Sequence, residues 1–420
     1  MDHFQLRDGE LYAEDVPLAR IAEEIGTPVY VYSRATLERH ARVFREALSE
    51  LDNPHIAFAL KSNPNLAVIK VLQRQGFGAD VVSGGEMKRA LAAGVEAQDI
   101  IFSGVGKTHR EMAEALDAGI GQFNIESEEE GHELALIAER KGLSAPAALR
   151  VNPDVDARTH AKISTGKAEN KFGVPINRAE EIFADLSQRP GMNLRGLAVH
   201  IGSQLSSLDP FEKAFARVGA LVETLRSQGH AITHVDLGGG LGVPYKAGEV
   251  LPSPAEYGAM VARATKGWDV RLMFEPGRVI TGNAGVLLTR VIRVKRGGNG
   301  PPFVIVDAAM NDLARPALYD AWHDIDAVRP SGGRMTANVV GPICETGDTF
   351  ARDRDIDALV AGDLAVFRTA GAYGATMASS YNSRGFVAEV MVDGDKFAVV
   401  ADRIAPEEIT AAERVPDWLE

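Results

Sequence analysis

The stretch LRGLAVHIGSQLSSLDPFEKAFARVGALVETLRSQGHAITHVDLGGG, residues 194–240, decides the fold. Its two ends are short apolar runs that read as strands, LRGLAVHIGS (194–203) and HVDLGGG (234–240). Between them Phe211, Phe215, Val218, Val222 and Leu225 recur at helical spacing as one apolar stripe, with Gly229 just past the end as a left-handed cap. Strand, helix, strand is the unit of a parallel sheet, and it repeats in both directions. Upstream lie HIAFALK (55–61), GADVVS (78–83), IIFSG (100–104), QFNIES (122–127) and PAALRVNP (146–153), and downstream RLMFEPGR (271–278). Helical stretches at Glu111–Ala118 and Glu130–Lys141 fill two of the gaps. Eight such strands in about 220 residues match a (β/α)8, TIM-like barrel. An open doubly wound sheet shares the alternation. The eightfold count and the polar residues gathered at strand C-termini favour the closed form.

After residue 285 the pattern changes to VLLTRVIRVKR, PPFVIVDAAM, TANVVGPIC, DLAVFRTAG and VAEVMVDGDKFAVV, β-type runs parted by Gly, Pro and Asp turns. The expected organisation is a segment 1–35 packing with a β domain, a barrel over 36–284, and an antiparallel β sandwich or barrel over 285–420. Composition agrees with two domains: 420 residues, 45% hydrophobic and 25% charged. A formal charge of −13, with no basic run, argues against nucleic acid and anionic membrane surfaces as partners. Neither a signal peptide nor a spanning segment is evident, and the single cysteine, Cys344, suits a reducing compartment, so a cytoplasmic protein is expected.

Chemistry-bearing residues cluster at the strand ends. Lys61 closes the first strand, with the parity of Ala57 and Ala59. A solvated strand-end charge is the plain reading, but at the C-terminal mouth of a barrel a desolvated amine becomes a Schiff-base nucleophile. His200, in AVHIGSQ, is either a satisfied core imidazole or a ring stacked on a planar cofactor, with Ser203 beside it. Gly238, Gly239 and Gly240 follow the seventh strand, where barrels bind phosphate. Glu275, Pro276, Gly277 and Arg278 end the eighth as an ion pair or a ligand contact. Outside the barrel, Cys344 and Glu345 lie in GPICETGD, and Arg315 and Tyr319 stand one helical turn apart. Tyr373 sits among small residues in AYGATMASSYNS. No HExxH, CxxC or histidine cluster supports a metal.

Taken together, FALKSNPN, GADVVSGGE, HIGSQ, DLGGGLG, EPGR, MNDLARPALYD, GPICETGD and AYGATMASSYNSR resemble the diaminopimelate decarboxylase family, pyridoxal-phosphate enzymes of the alanine-racemase-like fold type III. The resemblance runs from about residue 25 to 395. It implies that Lys61 holds pyridoxal 5'-phosphate as a Schiff base and that His200 stacks on its ring. It puts Asp80, Ser203, Gly238, Gly239, Gly240, Pro276, Gly277, Arg278 and Tyr373 in the cofactor site. Glu275 would face the ring nitrogen, a carboxylate that keeps the ring protonated and so a better electron sink. Arg278, Arg315 and Tyr319 would grip substrate carboxylate, Glu345 the distal amino group, and Tyr373 would touch both cofactor and substrate. Cys344 would be the proton donor. The implied reaction is decarboxylation of meso-2,6-diaminopimelate at its D centre to L-lysine. The implied assembly is a homodimer whose CETGD segments complete each other's sites. Ornithine, arginine and carboxynorspermidine decarboxylases are the nearest alternatives, alanine racemase and a non-catalytic cofactor carrier more distant ones. Arg158 and Ala161-Lys162 depart from the usual family residues in the loop after the fifth strand, expected to be a lid.

Overall fold

The computed structural model describes residues 2–156, 170–296, 298 and 300–419. The expected lid residues Arg158, Ala161 and Lys162 lie outside them. The chain divides into two compact units, residues 38–243 with 250–280, and residues 1–37 with 244–249 and 281–420.

The first unit is a closed parallel barrel. Its strands are β1 (His55–Ala59), β2 (Gly78–Val81), β3 (Ile100–Phe102), β4 (Gln122–Ile125), β5 (Ala145–Asn152), β6 (Met192–Ala198), β7 (His234–Asp236) and β8 (Arg271–Phe274). Each pairs with the next in parallel, and β8 returns to β1 through Met273↔His55 and Phe274↔Ile56. That last pairing excludes the open doubly wound sheet. Ala57, Ile101 and Met273, from β1, β3 and β8, meet in one buried cluster. The outer helices start and stop where their residues dictate. Ser253 and Glu256 form a capping box on helix Pro254–Ala264, as Thr108 and Glu111 do on His109–Ala118, and Gly142 closes Glu128–Lys141 at φ +65°. Helix Asp209–Ser227 buries the expected stripe, Phe211, Phe215, Val218, Val222 and Leu225. At roughly 1.5–3 kcal/mol per fully buried side chain, that stripe is what fixes the helix to its layer.

The second unit is built on a nine-stranded sheet. Its main path runs Thr349–Asp357, Arg334–Val340, Phe303–Val306, Gly285–Lys295, Val29–Ser33, Ala388–Asp393, Lys396–Ala401, with Leu364–Phe367 also on Gly285–Lys295 and Ile325–Ala327 beyond it. The sheet is mixed rather than wholly antiparallel. Phe303–Val306 runs parallel to Arg334–Val340, and Ala388–Asp393 runs parallel to Val29–Ser33. Long connections, unlike hairpins, do not oblige neighbouring strands to reverse. Phe4, Leu11, Leu18 and Ile21 cover one face of this sheet against Val29, Val31, Val286, Leu288, Val366 and Val390.

Candidate active site

The barrel set gathers at the C-terminal ends of β1, β2, β6, β7 and β8. Of that set only Asp80 lies within a strand, and Lys61 and His200, expected at strand ends, stand beyond theirs. β1 ends at Ala59 and Lys61 occupies the 3-10 turn Leu60–Ser62, closed by the Asn63 N–H on the Leu60 carbonyl. β6 ends at Ala198, two residues before His200. Strand parity therefore does not aim these side chains; the turns do.

Lys61 Nζ donates to Asp80 Oδ2 at 2.6 Å. Asp80 is fully buried and its other oxygen, Oδ1, has no protein partner, so it holds the amine at the mouth with acceptor capacity to spare. The Gly239 N–H donates to His200 Nδ1 at 3.1 Å, which places the ring proton on Nε2. Desolvation, with Arg150 and Lys61 adding, holds this imidazole well below its ordinary pKa, so it is neutral. Arg278 donates to Ser203 Oγ from Nε (3.3 Å) and Nη2 (3.2 Å).

The glycine loop has no room for side chains. A Cβ on Gly239 would lie 2.2 Å from the Glu275 carbonyl oxygen, and one on Gly240, at φ +122°, 2.5 Å from that of Gly202. The loop backbone is thus packed tightly against the backbone of Gly202 and Glu275, and only glycine fits there.

Glu275 belongs to a buried polar network that sequence reasoning did not assemble. Its Oε1 accepts from Ser103 Oγ (3.1 Å) and Asn124 Nδ2 (3.2 Å), and Asn124 Nδ2 also meets Asp236 Oδ2 at 2.9 Å. Asp236 Oδ1 accepts the Gly238 N–H at 2.9 Å, tying the acid pair to the glycine loop. Burial first, then the neighbouring Asp236 and Asp80 carboxyls, raise the Glu275 pKa well above the usual range, and burial raises Asp236 too. Glu275 therefore holds a proton that it shares with Asp236. The available signal was an acid, an amide and a hydroxyl inside or at the end of apolar strands: Asp236 after Val235, Asn124 between Phe123 and Ile125, Ser103 after Phe102.

The second unit carries the other expected residues. Arg315 and Tyr319 open and close helix Arg315–Tyr319, the first buried and the second half-buried. Cys344 and Glu345 are exposed on a tight turn. Asp348 builds that turn: it accepts the Ile343 N–H and the Met310 N–H, each at 2.7 Å, and so ties the turn to the segment 310–313. Asn382 Oδ1 accepts the Cys344 N–H at 3.1 Å, and Asn311 Nδ2 donates to the Ser379 carbonyl at 3.0 Å. Three loops that sequence could only name separately are thereby one cluster. Tyr373 has a left-handed backbone, φ +56°, a strain that its surroundings must hold. Tyr381 hydrogen-bonds Glu345, which raises the phenol's pKa. Among the described residues one group has metal-ligating types, Glu128, His132 and Asp185. It is half-exposed and engaged with Arg178 and Arg189, an ordinary surface ion network.

The barrel residues fit pyridoxal phosphate. An amine stands at the mouth for its aldehyde, a Cβ-excluding backbone loop for its phosphate, a neutral imidazole for its ring face and a protonated acid for its ring nitrogen.

Comparison with known proteins agrees. Residues 34–282 match the family model for the pyridoxal-dependent decarboxylase, pyridoxal binding domain. The chain is similar to diaminopimelate decarboxylase of Zymomonas mobilis, 52% identical over 419 residues and covering 99% of both chains. It is also similar to the crystal structure of diaminopimelate decarboxylase from Helicobacter pylori complexed with L-lysine, with a TM-score of 0.90, 38% identity, and 94% and 98% of the two chains covered. The M. jannaschii diaminopimelate decarboxylase in complex with L-lysine gives a TM-score of 0.95 at 33% identity, covering 100% and 99%. The chain belongs to the diaminopimelate decarboxylase family, and pyridoxal phosphate is its cofactor.

Proposed function

We propose that the chain decarboxylates meso-2,6-diaminopimelate at its D centre to L-lysine and carbon dioxide, the last step of lysine biosynthesis, in the cytoplasm. The observation that carries the chemistry is Lys61 held 2.6 Å from buried Asp80 at the barrel mouth, beside a glycine loop closed to side chains. The substrate is supported by the name shared by full-length relatives at about half identity, and by L-lysine in two solved relatives, which would be the product here.

Pyridoxal phosphate, when bound, supplies an electron sink conjugated to the reacting carbon. Everything else falls to the chain's own groups. Lys61 Nζ would hold the cofactor's aldehyde carbon at the barrel mouth, where Asp80 Oδ2 accepts a hydrogen bond from the amine. Gly238–Gly240 and the backbone of Pro276 and Gly277 hold the phosphate. His200 would present its neutral ring to one face of the cofactor, and Glu275 would supply the acid that pairs with the ring nitrogen. Arg278 and Ser203 complete this wall. The bond from the D-centre carbon to its carboxyl breaks, carbon dioxide leaves, and Cys344 Sγ donates the proton that replaces it.

Arg315 and Tyr319 bind the distal carboxylate, Glu345 the distal amino group, and Tyr373 both ligands. A cation and an anion aimed at one distal centre reject substrates lacking it by on the order of 10⁴. The exposure of Cys344 and Glu345 supports a homodimer in which each CETGD turn serves its partner's site.

The test is carbon dioxide release across D, L and meso amino acids. Meso-diaminopimelate should turn over fastest. Ornithine, arginine or carboxynorspermidine outpacing it would refute the substrate, and isomerisation without gas release would refute the reaction.

A further inference from the structure

We propose that His323 is a positioning residue for Arg315, and that with Tyr245 it forms a rigid socket fixing the guanidinium for the distal carboxylate. The proposal rests on the reading above that Arg315 binds that carboxylate. Three contacts carry it. Arg315 Nη1 lies 2.9 Å from His323 Nε2. His323 Nδ1 lies 2.8 Å from the Arg368 backbone carbonyl oxygen. The Arg315 Cζ sits 4.3 Å from the centre of the Tyr245 ring.

The first two contacts determine the histidine's chemical state. A carbonyl oxygen only accepts, so Nδ1 bears the hydrogen, and a guanidinium only donates, so Nε2 offers its lone pair. His323 is therefore the neutral Nδ1–H tautomer, spanning Arg315 and the backbone just past strand Leu364–Phe367. That strand is hydrogen-bonded within the nine-stranded sheet, and the Arg368 N–H itself donates to the Asp324 carbonyl at 2.8 Å. The arginine is thus referenced through one imidazole to backbone that continues from the paired sheet of its unit.

The third contact restrains the guanidinium plane. The Tyr245 ring lies against it, a cation–π arrangement, and meets the His323 ring edge-on at 5.3 Å and 82°. All three side chains are nearly removed from water, at 6% exposure for Arg315, 1% for His323 and 8% for Tyr245. Neither partner brings a negative charge. A carboxylate in the place of His323 would grip the arginine as firmly, but it would compete with the substrate for the same cation. A neutral acceptor and a π face fix the guanidinium's orientation without adding a negative charge of their own, which suits bidentate recognition.

Binding and chemistry separate the proposal from a merely structural role. In the loaded enzyme, His323→Leu should raise KM for meso-diaminopimelate roughly tenfold while kcat changes less than threefold, since one binding group is misaimed and none of the reacting atoms is touched. The cofactor's visible absorption should be unchanged. His323→Gln, which returns an acceptor near the Nε2 position, should recover most of the KM. Tyr245→Leu should raise KM and Tyr245→Phe should not, a test that stands even if His323→Leu fails to fold. Arg315→Lys is the reference for the underlying reading. If it raises KM while His323→Leu and Tyr245→Leu do not, the socket is refuted and the role of Arg315 survives. If Arg315→Lys itself leaves KM unmoved, the reading of Arg315 is wrong and the socket falls with it. A loss of kcat at constant KM in the His323 variants also overturns the proposal.

Discussion

Glu275→Gln separates the shape of the buried acid from its proton. In the cofactor-free chain the acid accepts from Ser103 and Asn124 through Oε1 and shares its proton with Asp236. Glutamine keeps an acceptor for the first two and a donor for the third. At mildly acidic pH the change in stability should stay within about 1 kcal/mol. Glu275→Ala strands those partners and leaves a cavity, for about 2–4 kcal/mol.

The two variants differ further as pH rises. A carboxyl whose folded pKa is raised binds its proton more tightly folded than unfolded. It does not weaken folding below the unfolded value of about 4.3, and removes about 1.4 kcal/mol per pH unit above it until its folded pKa is passed. Glutamine does not titrate. The variant should therefore gain on wild type as pH rises above the unfolded carboxyl value of about 4.3, until the folded pKa is passed, reversing the usual cost of altering a buried polar residue. Urea unfolding of the cofactor-free protein along that series reads the crossing directly. Turnover of the loaded variant should still fall, by on the order of 10², because an amide does not keep the ring nitrogen protonated. If Glu275→Gln tracks wild type in parallel at every pH, or is as unstable as Glu275→Ala, the shared-proton description is wrong.

Cys344→Ala should leave cofactor absorbance and affinity intact and lower turnover by about 10²–10⁴, the range for a lost general acid. Loss of cofactor on that change would assign the thiol a structural role. Gly239→Ala drives a Cβ to 2.2 Å from the Glu275 carbonyl oxygen, so thermal unfolding should show about 1–3 kcal/mol of destabilisation with weakened cofactor binding. Unchanged melting and affinity would mean that the loop moves freely. Mixing inactive Lys61→Ala and Glu345→Ala subunits should restore partial activity. No recovery despite proven subunit exchange would count against sites shared across a dimer.

The barrel was legible because its eight apolar runs are spaced by amphipathic helices, and Lys61, Glu275 and the glycine loop because chemistry collects at strand ends. Closure was not, since the pairing of Met273 with His55 joins strands more than two hundred residues apart and leaves no local trace. The interior network escaped for a different reason. β3 and β7 are three residues each, too short for alternation to declare which side Ser103 or Asp236 faces. The placement of Val29–Ser33 was half legible: VYVYS reads as a strand, but nothing in it specifies an antiparallel partner on one edge and a parallel one on the other. His323 stands eight residues beyond Arg315, past the end of helix Arg315–Tyr319, and only the folded chain brings its ring to the guanidinium.

That strand between Gly285–Lys295 and Ala388–Asp393 sets a timetable for synthesis. When Val29–Ser33 leaves the ribosome, its first neighbour is still roughly 250 residues from being made, a wait of about 12–50 s at ordinary elongation rates. Throughout it, both edges of a very apolar ribbon are open while the barrel completes behind it. Messages truncated anywhere before the last sheet strands would release chains with this ribbon unclothed, and their fate should be aggregation or capture by chaperones, not a working half-enzyme.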